Sequence, residues 1–95
     1  MLPLVLNPLR LKTGLVGRGE ALARRAALLA EAGVDTRLLS CDVSDEILAP
    51  LPLLFVAGLA EGEARHLAAR ARAFGVLVNV EDVSPLCDFH VPAIV

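Results

Sequence analysis

Ninety-five residues make one small domain, and a net charge of −2 with no basic stripe, no Trp and no Tyr leaves nothing to hold nucleic acid. The longest apolar run, residues 49–60, is interrupted by Pro50, Pro52 and Gly58 and is far below the ~18 residues of a membrane span. Hydrophobic residues make up 56% of the chain, above the roughly 45–50% of ordinary domains. A domain of this size buries only about 60–70% of its unfolded surface, so the excess predicts a partner, most simply a second copy in a homodimer.

The chain reads strand, helix, strand, short link, strand, helix, strand, tail. Leu11–Val16 is the first strand, weakened by Thr13-Gly14. Glu20–Ala32 is a helix with Leu22, Ala26 and Leu29 on one face and Arg24, Arg25 and Glu31 turned away. Gly33 is its left-handed stop. Asp35–Ser40 alternates as an edge strand would. The link from Cys41 to Pro52 holds one helical turn near Ser44–Leu48, with Ser44 as N-cap. Leu53–Ala57 is continuously apolar, the pattern of a buried parallel strand. Glu61–Phe74 is the second long helix; Ala64, Leu67, Ala68 and Ala71 form its buried face, Glu61 can pair with Arg65, and Gly75 stops it. Val76–Val80 is the fourth strand. Right-handed helical crossovers give a parallel sheet of order 2-1-3-4, in an α/β domain with helices on both faces.

Two segments meet at the carboxyl ends of such strands, where open α/β sheets bind ligands. Gly17-Arg18-Gly19-Glu20 follows the first strand and opens a helix, which suits a pyrophosphate. A tight strand-to-helix turn without a ligand needs the same glycines. The third glycine of the dinucleotide fingerprint falls on Leu22, and the expected ribose-binding acid falls near Asp42. Asn79-Val80-Glu81-Asp82 ends the fourth strand; Asp82 suits acid/base work beside a cofactor and equally suits a turn. Asp82, Cys87, Asp88 and His90 match no standard metal spacing, so no metal is expected. Cys87 reads as a small buried hydrophobe, His90 as half-buried packing and His66 as solvated. Cys41 and Cys87 read as two free thiols in a cytoplasmic protein, and no signal peptide is visible.

The stretch Asn79–Val95 is the most distinctive in the chain. With it, the chain resembles the NAD-dependent precorrin-2 dehydrogenase domain of the sirohaem synthase family. The resemblance extends back through Gly75–Val80, the second helix, Phe55-Val56-Ala57, Gly17–Glu20, Arg24-Arg25 and Leu2-Pro3-Leu4 with Leu6. It implies a small three-layer Rossmann-like domain over residues 1–95 that binds NAD and oxidises precorrin-2, a tetrapyrrole, to sirohydrochlorin. It also implies Asp82 as the catalytic base and Asn79 near the nicotinamide. The cofactor-binding candidates are Gly17, Arg18, Gly19 and Glu20 in the first turn, Ser40 after the second strand, Gly58 after the third, and Asn79. Where the family carries Thr-Asp after its third strand and an Asn further on, this chain has Gly58, Leu59 and Ala64. The alternative is a non-catalytic binding or regulatory module that keeps the dinucleotide fold. The apolar tail, residues 89–95, is expected to pack across a twofold axis.

Overall fold

The computed structural model describes residues 2–92. Four strands form one all-parallel sheet: β1 (Lys12–Gly17), β2 (Asp35–Leu38), β3 (Leu53–Ala57) and β4 (Leu77–Val80). Their order is β2-β1-β3-β4, as expected, with β2 on an edge. The connections are α1 (Gly19–Glu31), the single turn α2 (Asp45–Leu48) and α3 (Glu61–Ala73). Two 3-10 turns flank the sheet, Pro8–Arg10 before it and Ser84–Leu86 after it.

Alternation along the strands divides the core in two. One face carries Val16, Leu54, Val56, Val78 and Val80, packed under Ala64, Leu67, Ala68 and Ala71 of α3. That is the helix face the spacing predicts, and all four of its residues are buried. The opposite face carries Leu15, Leu53 and Phe55, packed with Leu29 of α1 and partly with Leu22, Phe89 and Val91. Every residue of β3 is buried, which is why that strand tolerates no polar position.

Several boundaries move by a residue or two: β1 ends at Gly17 and α1 runs Gly19–Glu31, and four others have a plain local setting. Leu11 donates its N–H to Pro8 in the 3-10 turn, so β1 starts at Lys12. The Val76 N–H bonds back to Ala71 at the end of α3, so β4 starts at Leu77. Strand β2 ends at Leu38 because Val43 turns back to bond the Ser40 carbonyl. Phe74 is the C-cap of α3 and lies outside it. Ser44 stands at the N-cap of α2 but makes no side-chain cap bond. Arg70 holds that turn instead, bonding the Val43 carbonyl at 2.6 Å and Asp45 Oδ1 at 2.7 Å. The Glu61–Arg65 pair forms at 3.1 Å.

The first helix departs from expectation more instructively. Ala26 is exposed, and Arg25 is turned inward rather than away. The stripe that meets the sheet is Leu22, Arg25 and Leu29, spaced three and four apart. An arginine stem covers apolar surface while its head reaches polar ground. Here the guanidinium lies 5.9 Å from the Phe55 ring centre. The displaced alanines, with Leu22, Val34 and Leu38, line an open apolar groove between α1 and β2.

Candidate functional site

The winding reverses between β1 and β3, and the loops leaving their carboxyl ends touch. The Arg18 N–H donates to the Ala57 carbonyl at 3.1 Å. A Cβ on Gly17 would stand 1.8 Å from the Ala57 oxygen, and one on Gly58 would stand 2.2 Å from the Arg18 oxygen. These two glycines let the two loops pack backbone on backbone. Gly19 is different. Its φ is +66°, and a Cβ there would meet no atom within 4 Å. It opens a thirteen-residue helix whose N-cap, Arg18, supplies no side-chain bond to the free amides. Uncapped N–H groups beside open space suit a phosphate, which the positive end of the helix attracts. Glu20 stands exposed in the same first turn. A pyrophosphate therefore fits at Gly19, with Gly17 and Gly58 shaping the floor beneath it.

The Arg18 side chain crosses the crevice instead of waiting over it. Its guanidinium donates to both Glu63 oxygens, at 2.7 and 2.9 Å, and lies 3.5 Å from Cys41 Sγ. The bond from Arg18 holds the Glu63 carboxyl below its ordinary range and raises the guanidinium further. The bridge thus persists as pH falls past the usual carboxylate range and opens only when Glu63 takes a proton. Both groups are largely exposed, so a phosphate can compete for Arg18.

Beyond β2, exposed Ser40 donates a short hydrogen bond to exposed Asp42, which lowers the Asp42 pKa. An ionised carboxylate there offers acceptor oxygens to a hydroxyl group on the β2 side of the crevice.

The β4 side is built differently. Asn79 is buried, and its Nδ2 donates to the Phe89 carbonyl at 2.9 Å. Its amide nitrogen is thus committed to holding the returning loop. Cys87 is half-buried and ties the same loop down by accepting from the Val80 N–H and donating to the Val80 carbonyl, both at 3.2 Å. Asp88 bonds the Val78 N–H and Arg72. Phe89 then lies edge-on to Phe55 with ring centres 5.4 Å apart. Phe89 takes the packing place that His90 was expected to fill, and His90 is exposed. His66 is exposed as expected.

Asp82 follows β4 with φ +65°, in the left-handed region that aspartate tolerates better than most side chains. It is exposed and lines a cavity of about 350 Å³ with Arg25, Asn79, Glu81 and His90. Glu81 escaped the sequence reading. Its Oε2 is buried without a hydrogen-bond partner, and its Oε1 lies 3.8 Å from Arg25. The signal was present in the alternation, which puts Leu77, Asn79 and Glu81 on the face that α1 covers. Among the described residues, no group of three or more His, Cys, Asp or Glu side chains could hold a metal ion. None of the described helices is long and apolar enough to cross a membrane.

Comparison with known proteins agrees with this geometry. Residues 42–93 match a family described as "Putative NAD(P)-binding". The siroheme synthase of Psychrobacter sp. (strain PRwf-1) is 33% identical over 101 aligned positions, covering 85% of this chain and 21% of that protein. The chain therefore spans about a fifth of the length of this curated relative. The family match takes in more than half of the chain, with α2, β3, α3 and β4, so the chain belongs to this NAD(P)-binding family, and over most of its length it is similar to a sirohaem synthase.

Proposed function

We propose that this domain binds NAD and serves as a precorrin-2 dehydrogenase in sirohaem biosynthesis, oxidising precorrin-2 to sirohydrochlorin. The observation that carries the reading is one juxtaposition. The open helix start at Gly19 and the free carboxylate of Asp82 lie at the same end of a parallel sheet, on either side of β3. When bound, the nicotinamide supplies a hydride acceptor. The chain's own residues do the rest. The α1 amides hold the pyrophosphate, the Ser40–Asp42 pair receives the adenosine ribose, and Asp82 takes the proton that the substrate loses with its hydride.

Asp82→Ala should lower turnover of precorrin-2 at least ~100-fold, the usual contribution of a general base. NADH affinity by calorimetry should stay within about twofold, because the carboxylate serves the proton and not the dinucleotide. Turnover within a fewfold of the parent would remove Asp82 from the chemistry.

A second reading has a specific observation behind it. Arg18 is bridged to Glu63 across the crevice, and Gly58, Leu59 and Ala64 offer no polar side chain there. A non-catalytic dinucleotide module would bind NADH weakly and turn over nothing. Parent protein with measurable NADH affinity and no turnover would select that reading.

Self-association belongs to the same proposal. Leu2, Leu4, Val5 and Leu9 are each at least 70% exposed, an unusual density for one end of a monomer. The tail expected at a twofold axis is described only in part, because residues 93–95 lie outside the described residues. Val91 packs against the chain's own Phe55 cluster rather than standing free for a partner. Sedimentation equilibrium should show a dimer, and a monomer at high concentration would end this part of the proposal. Two free thiols, Cys41 and Cys87, suit a cytoplasmic setting.

A further inference from the structure

The cavity beside β4 holds a long ion pair, Arg25 with Glu81, that leaves one carboxylate oxygen without a partner. Arg25 and Glu81 expose only 13% and 19% of their side chains. Their nearest approach, 3.8 Å, is beyond the 2.7–2.9 Å of a charge-assisted hydrogen bond. Glu81 Oε2 is buried without a hydrogen-bond partner. A buried carboxylate oxygen is costly to leave without a donor. Both are anchored near the sheet. Arg25 is held over Phe55, and the Glu81 N–H is fixed at 2.9 Å to the Val56 carbonyl.

The chemistry of the complement follows from the pair. An anionic ligand group would meet Glu81, and a cationic one would meet Arg25. A neutral group carrying an acceptor and a donor side by side satisfies both. A primary carboxamide is such a group, with its oxygen for the guanidinium and its NH2 for the carboxylate. Resting on the dinucleotide reading above, we propose that Arg25 and Glu81 together grip the carboxamide of the nicotinamide ring. They thereby fix which face of the ring is presented beside Asp82. The cavity lies at the carboxyl end of β4, on the side of the switch point away from Ser40 and Asp42. A dinucleotide centred on Gly19 with its adenosine toward β2 sends its other half there.

The test is calorimetry with three ligands: NADH, ADP-ribose, and the reduced 3-acetylpyridine analogue, which keeps the ring carbonyl but replaces NH2 with methyl. The variants are Glu81→Ala and Arg25→Met, the second keeping an apolar stem over Phe55. Each should weaken NADH roughly tenfold or more, the worth of a hydrogen bond to a charged group, and leave ADP-ribose within twofold. Toward the acetylpyridine analogue, Arg25→Met should still cost affinity, whereas Glu81→Ala should cost nothing. Equal losses for NADH and ADP-ribose would make the pair a packing feature and overturn the assignment. So would no loss for either, or parent protein that binds NADH no better than ADP-ribose. In those cases the dinucleotide site itself would stand. Parent protein that binds neither ligand would remove the dinucleotide reading, and this inference with it.

Discussion

Gly17→Ala should destabilise the fold by about 3 kcal/mol, at the upper end of what overpacking costs. The added Cβ would lie 1.8 Å from the Ala57 carbonyl oxygen. That oxygen belongs to the backbone of a central, fully buried strand and already accepts the Arg18 N–H, so it cannot yield. For a domain of this size each kcal/mol moves the melting temperature roughly 4–8 °C. Thermal unfolding followed by circular dichroism should therefore show a drop of roughly 12–24 °C. Gly58→Ala should act in the same direction, since its Cβ would lie 2.2 Å from the Arg18 oxygen and its φ is +82°. Combining the two should cost less than their sum, because both separate the same pair of loops. A loss below about 1 kcal/mol for Gly17→Ala would mean that the β1 and β3 loops part easily.

Gly19→Val should act on the ligand. The position has φ +66°, which a β-branched residue adopts only under strain of about 1–2 kcal/mol. Its side chain would also fill the open space at the start of α1, where a Cβ has no neighbour within 4 Å. NADH affinity should fall about 100-fold or beyond calorimetric detection, because the pyrophosphate loses its place at the helix amides. Gly19→Asn separates the two effects. Asparagine tolerates the left-handed region, so stability should hold while affinity still falls. Unchanged NADH affinity in both variants would show that this turn is no cofactor site.

The sheet was legible because its determinants are local. The apolar run Leu53–Ala57, short and bounded by Pro52 and Gly58, has the pattern of a strand covered on both faces, and all five residues are buried. The stripe Ala64, Leu67, Ala68 and Ala71 names its own buried face. What the sequence hid depends on residues that serve two purposes. Arg25 reads as a solvated charge, yet its stem covers Phe55 and its head meets Glu81. Glu81 is overshadowed by its neighbour Asp82, although it is Glu81 whose oxygen is buried. The glycine turn reads as a single cofactor motif. In three dimensions Gly17 serves the packing of two loops, and Gly19 alone leaves room for a ligand. Asn79 reads as a cofactor contact, and in the fold its amide nitrogen also holds the loop that delivers Phe89. None of these distinctions is visible until β1, β3 and β4 stand side by side.

The central claim is that one dinucleotide spans the carboxyl ends of this sheet, from the start of α1 to the end of β4. An amide chemical-shift titration of the isotopically labelled chain with NADH addresses it most directly. Shifts should concentrate at Arg18 to Leu22 and at Glu81 and Asp82, with smaller ones at Ser40 to Asp42. Shifts confined to the groove of Ala26, Ala30 and Leu38, or no saturable shift at all, would contradict it.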